Sequence, residues 1–383
     1  MSHETILTNA RVVLPDGVLH GSVRVRDGRI DAIDAGIAGV GEDLDGDYLL
    51  PGLVELHTDQ VESHFQPRPK RFWDPIPAVV AHDAQMAASG VTTVFDALRI
   101  GSGPGENRIA GRASTLVGAL VQAADSGILR SDHYVHLRCE VATPDVVEVF
   151  DDLGESDRVR MVSLMDHTPG QRQYADVEAF RTYMVGKHNM SEGEFASHVA
   201  ELHELSAAYA DAHRGAMAAR ARERGLRVAA HDDATLAHVA ESSQLGVHIS
   251  EFPTTVEAAR AAREAGQSVV MGAPNIVRGG SHSGNVAAAE LLAAGLLDIL
   301  SSDYVPASLL QAVFRIVADE AASLPEAVSL VSANPATAAG LLDRGSIATG
   351  LRGDLVRVAP YEGASGAPVP IVRGVWREGV RVA

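Results

Sequence analysis

The stretch Leu53-Val54-Glu55-Leu56-His57-Thr58-Asp59 decides how this chain is read. It begins as a short, mostly apolar run and ends with an imidazole and a carboxylate two positions apart. Side chains of a strand alternate faces, so His57 and Asp59 are expected on one side, where they can chelate one ion. Seven further runs of similar build follow: Val91–Ile100, Tyr134–Val141, Val159–Asp166, Leu226–Asp232, Gly246–Phe252, Ser268–Ala273 and Leu297–Asp303. Alanine-rich helical stretches separate most of them, among them Pro77–Ser89, Arg108–Ser126, Ser191–Arg224, Val256–Gly266 and Asn285–Gly295. Eight such alternations predict an α/β fold, a (β/α)8 TIM-like barrel. A doubly wound open sheet is the alternative, because periodicity does not say whether a sheet closes.

Outward from this middle, both ends of the chain read as strands. Thr5–Leu14, Gly21–Val25 and Arg29–Ile33 are punctuated by Pro15-Asp16-Gly17 and Asp27-Gly28, which are hairpin signals. Asp354–Ala359, Val369–Val372 and Val375–Val382 look alike, with Gly353, Gly374 and Gly379 between them. We therefore expect one small β-sandwich domain from residues 1–50 and 345–383, and a catalytic barrel over residues 51–344.

Composition narrows the function. A hydrophobic fraction of 46% supports a sizeable core and excludes disorder as the main state. The single cysteine, Cys139, excludes a disulfide scaffold and fits a reducing, cytoplasmic setting. The most apolar segment, Val286–Leu300, is broken by Glu290 and Asp298, so no transmembrane helix is expected. The start, MSHETILTNA, lacks the basic region and apolar run of a signal peptide. With 50 acidic residues against 32 basic ones, the net charge of −18 argues against nucleic-acid or anionic-membrane partners.

The polar residues gather at the carboxyl ends of the predicted strands, and in a parallel barrel these ends share one rim. His57, Asp59, Glu140, His231, His248 and Asp303 are the expected metal ligands. They could hold two divalent ions with Glu140 between them. Nitrogen and oxygen donors suit zinc first, with manganese, iron or magnesium as alternatives. Two such ions can bind a hydroxide and polarise an electrophilic carbonyl or phosphorus. His136, Arg138 and Glu140 share inward parity, and Arg138 is expected to pair with a carboxylate such as Glu55. Cys139 has the opposite parity and should face the helices.

The β-rich ends, the Leu50-Pro51-Gly52-Leu53-Val54 lead into the first strand, the ligands at strand ends and the late Ser332-Ala333-Asn334-Pro335-Ala336 resemble the amidohydrolase superfamily over essentially the whole chain. The usual H-x-H of its first strand is His57-Thr58-Asp59 here, and no lysine lies between Tyr134 and Gly186 to act as its usual bridge. Three longer strings, HTDQVESH (57–64), MDHTPGQRQY (165–174) and RGGSHSGN (278–285), look like the diphosphatase branch that serves carbon–phosphorus lyase metabolism. That resemblance implies hydrolysis of α-D-ribose 1-methylphosphonate 5-triphosphate to the 5-phosphate and pyrophosphate. The alternative is cleavage of an amide bond, in an N-acetyl sugar phosphate or a cyclic amide. The family also allows a homodimer, although no isolated apolar stripe marks an interface.

A polyanionic substrate needs local positive charge in so acidic a protein. Substrate contacts are expected from His64, Lys70, His167, Arg172, Arg278, Ser281 and His282. Asp303, at the last strand end, is the expected general base. His167 or His282 could hydrogen-bond the departing pyrophosphate.

Overall fold

The computed structural model describes residues 3–102, 112–174, 177–188, 190–281, 284–363 and 366–383. The amino-terminal strands are β1 (Glu4–Leu14), β2 (Gly17–Arg26), β3 (Arg29–Ala35), β4 (Glu42–Asp43) and β5 (Tyr48–Pro51). Eight strands follow: β6 (Leu53–Thr58), β7 (Val91–Ile100), β8 (Asp132–Glu140), β9 (Val159–Met165), β10 (Arg227–His231), β11 (Ile249–Glu251), β12 (Ser268–Gly272) and β13 (Ile299–Ser301). The chain ends with β14 (Leu355–Tyr361), β15 (Val369–Arg377) and β16 (Val380–Arg381).

Both termini build one sheet, ordered β16-β15-β14-β5-β1-β2-β3, with β4 beside β1. Its neighbours run antiparallel except that β4 and β5 lie parallel to β1. The β2–β3 hairpin turns through Asp27 and Gly28, both at positive φ (50° and 82°), the backbone that Asp-Gly favours. Leu7, Val12, Val23, Val25, Leu49, Leu355 and Trp376 form its buried core.

Strands β6 to β13 are all parallel and neighbour one another in chain order. The ring closes through an isolated parallel bridge between Thr58, the last residue of β6, and Asp303, just beyond β13. Two hydrogen bonds carry that bridge: Asp303 N donates to His57 O (3.1 Å) and Asp59 N to Asp303 O (3.2 Å). Helices pack outside, the longest spanning Glu192–Glu223 and opening with a Ser191–Glu194 capping box.

Inside the ring, Val54, Leu56, Phe95, Met161, Ala229, Ile249, Val270 and Ile299 form an apolar plug. Strand alternation then fixes what lies above it. Two residues beyond Ala229 is His231, and two beyond Ile249 is Glu251. Cys139 packs outward among the helices, and burial pushes its thiol pKa up. Among the described residues no helix is long and apolar enough to cross a membrane.

Candidate metal centre at the barrel mouth

His231, at the end of β10, stands between two groups of donors. On one side its ring lies 5.7 Å from that of His57, and its Nε2 is 3.9 Å from Glu251 Oε2. On the other its ring lies 5.8 Å from that of His167, and its Nδ1 is 2.6 Å from Asp232 Oδ2. Glu140 joins this second group: its Oε1 accepts from His167 N (3.0 Å), and its Oε2 lies 2.6 Å from His167 Nδ1. Arg99 donates to Glu140 Oε2 as well (2.8 Å).

The first group is layered. His57 Nδ1 meets Glu251 Oε1 at 2.8 Å, and Ser163 donates to Glu251 Oε2 at 2.6 Å. Beneath them His136 donates through Nδ1 to Leu56 O (2.9 Å), and burial lowers its pKa to about 4. His136 is therefore neutral.

Electrostatics sharpen the picture. Burial works against the Glu140 charge, but His167 and Arg99 outweigh it and hold the carboxyl down at about 2. For Glu251 too, burial is outweighed, here by His57 and His136, so the group stays ionised. The His231 pKa is raised, with Asp232 and Glu251 overcoming burial. Asp303 is shifted upward, mainly by burial, with Asp59 adding to it. Three strands leave the ring through non-glycine residues at positive φ: Asp232 (61°), Phe252 (55°) and Asp303 (55°). Such backbone is costly outside glycine and clusters where side chains must be aimed.

These residues fit a divalent metal ion. The Nε2 of His231 is buried and has no hydrogen-bond partner among the described residues. Leaving such an atom unpaired is costly. His57, His136 and Glu251 form one group with ligand-compatible spacing, and His167, His231 and Asp232 another. Imidazole and carboxylate donors suit borderline divalent ions.

The structure brings together most of the expected ligands and not all. His57, Glu140 and His231 meet at the mouth, while Asp59 and Asp303 sit at the seam beside them. His248 does not join them. It precedes β11, at the amino end of the ring, and pairs there with the Val228 backbone. It lines a recess with Arg160, Arg222 and Arg227, and burial and Arg227 lower its pKa. Glu251, three residues later, takes the place at the mouth. Active groups sit at the carboxyl ends of barrel strands, which is where Glu251 lies and His248 does not. Asp232 is not among the ligands expected from the sequence, yet it lies 2.6 Å from His231 Nδ1.

The expected substrate contacts separate in the same way. His167 lies in the cluster. Arg172 is buried, but its guanidinium is held by Asp233 and by Glu241 (3.1 Å). His64 turns to the helix Pro75–Ala88, 2.8 Å from Gln85 Oε1. Lys70 is exposed in the turn that follows the helix Gln60–Phe65. Arg278 ends the helix Ala273–Arg278 and donates to Pro274 O, and Ser281 is half-buried just beyond. His282 lies outside the described residues. Arg138 does not pair with Glu55; its Nη1 is 3.8 Å from Asp59 Oδ2.

A closed parallel barrel with histidines and carboxylates at its carboxyl rim, joined to a sheet built from both termini, is the architecture of metal-dependent amidohydrolases. Solved structures share it: N-acetyl-D-glucosamine-6-phosphate deacetylase from Mycobacterium smegmatis superposes with a TM-score of 0.63 over 99% of this chain and 100% of that one, at 18% identity. Dihydropyrimidinase from Brevibacillus agri NCHU1002 does so at 0.62, over 99% and 95%, at 15% identity. The Amidohydrolase family model matches residues 145–383. The chain is also 46% identical, over 382 residues, to alpha-D-ribose 1-methylphosphonate 5-triphosphate diphosphatase of Escherichia coli (strain K12), covering 98% of this chain and all of that one. The chain belongs to the amidohydrolase family, in the branch of that diphosphatase.

Proposed function

We propose that this protein hydrolyses α-D-ribose 1-methylphosphonate 5-triphosphate to the 5-phosphate and pyrophosphate. The observation that carries the reading is the 46% identity spread over the full length of both chains. A bound divalent ion, for which zinc suits the donors, would supply an acidified water and positive charge for the phosphoryl oxygens. His57, Glu140, His167, His231, Asp232 and Glu251 are the residues we assign to holding it.

The remaining steps belong to the chain itself. Asp303, fixed at the seam by its own backbone bridge, takes the proton of the attacking water. Its raised pKa makes it a better base than an ordinary aspartate. The departing group is pyrophosphate. That group leaves as a stable anion, so positioning and charge neutralisation do most of the work.

The test is direct. Metal-loaded protein given the ribose triphosphate with a 1-methylphosphonate should release pyrophosphate. N-acetyl sugar phosphate and dihydroorotate should be left intact. Turnover of either amide with none of the triphosphate would replace this reading by an amidase.

A further inference from the structure

Arg138 lies two residues before Glu140 on β8 and so points into the ring beside the metal centre. Its side chain is 17% exposed. Its Nη1 is 3.8 Å from Asp59 Oδ2, too long for a hydrogen bond, and its Nε is buried with no partner among the described residues. The same charge partly offsets the upward pKa shifts that burial gives Asp303 and Glu62, and it disfavours protonation of His136 and His231. The guanidinium is thus central to the mouth and poorly hydrogen-bonded. Arg99 and Arg172 also have a buried Nε with no partner among the described residues, but their terminal nitrogens are engaged: Arg99 is bonded to Glu140, and Arg172 to Asp233 and Glu241.

We infer that Arg138 occupies the half of the centre bordered by Asp59 and Asp303, so that the protein holds one divalent ion per chain and Arg138 binds the phosphoryl oxygens in place of a second. The inference rests on the reading of the site as a phosphoanhydride hydrolase. Its physical basis is that a guanidinium stays protonated in proteins. A divalent ion on Asp59 would lie beside a fixed like charge. The pocket would then place two positive centres against a polyanion: the ion held by His57, Glu140, His167, His231, Asp232 and Glu251, and the planar fork of Arg138. That fork matches two phosphoryl oxygens at once, and the 17% of the side chain left exposed is what a phosphate would meet. An H-x-D first strand fits this division, because an arginine beside Asp59 forms an ion pair that a second histidine would not.

Two measurements decide the matter. Metal content of the reconstituted wild-type protein, read by mass spectrometry after removal of loose ions, should be one equivalent per chain. Calorimetry with pyrophosphate should show about tenfold weaker binding in Arg138→Met, with the metal equivalent retained and part of the affinity restored in Arg138→Lys. Two tightly held equivalents in the wild type would overturn the inference. So would unchanged pyrophosphate affinity in Arg138→Met. The wild-type metal count stands even where a variant fails to fold. A wild type with one ion that does not cleave the triphosphate would discard the reaction while keeping the place given to the guanidinium.

Discussion

Glu55 Oε2 accepts a hydrogen bond from the Ser302 backbone amide at 2.6 Å, and its Oε1 accepts from His57 N at 2.6 Å. One buried carboxyl therefore fastens β6 to the segment after β13 where the two strands share little regular ladder. It does so directly beneath His57 and Asp303. Burial raises its pKa to about 8.

Glu55→Gln should weaken this seam, because an amide NH2 would face a backbone N–H. We expect a loss of about 1–3 kcal/mol in unfolding free energy, measured by denaturant titration. A variant as stable as the parent would show that the seam is held elsewhere.

The pH dependence of stability carries a second signature. Asp96 lies 2.7 Å from both His82 Nε2 and His133 Nδ1 in a fully buried network. Burial opposes the His133 charge, but Asp96 and Asp83 outweigh it and lift its pKa to about 9. A raised histidine favours folding below its unfolded pKa, and that contribution disappears as pH rises through the folded value. Stability from this group should be complete below about pH 6.5 and lost by about pH 9, on the order of 3 kcal/mol. Thermal unfolding across that range, compared between the parent and His133→Gln, should flatten in the variant.

Glu251 and His248 make opposite predictions. Glu251→Gln should lower bound metal and cut turnover by at least about a hundredfold, as losses at such sites commonly do. His248→Ala should leave both unchanged, since it sits at the other end of the ring. Metal analysis of the two proteins side by side checks the assignment, and a metal-depleted His248→Ala would reverse it.

Asp303→Asn should reduce turnover by about 10²–10⁴-fold while most of the metal stays bound. Single-turnover pyrophosphate release, with metal content measured on the same sample, separates the two effects. Full activity in this variant would remove Asp303 from its role.

Chelation should silence the wild type, and added zinc should restore it. The orphaned His231 Nε2 gives the expectation a structural readout: its ring resonances should shift on metal return even without substrate. A chelated protein that still cleaves the triphosphate would detach the cluster from the chemistry.

The chain announces its barrel plainly. Eight runs such as Val91–Ile100 and Val159–Asp166 recur at strand length, and hairpin signals such as Asp27-Gly28 mark the terminal strands, because these patterns are local. His57, Glu140 and His231 were legible as a centre for the same reason: each ends an apolar run. His248 against Glu251 was not, because a histidine before a three-residue strand and a glutamate at its end look equally competent until the ring fixes which end is the mouth. Nor could sequence say that Arg172 is held by Asp233 and Glu241, or that Arg138 faces Asp59 and not Glu55. Those pairings depend on distances between strands and loops far apart along the chain, and only the closed ring sets them. Local alternation determines which face a side chain takes; packing of the whole barrel decides which partner it finds there.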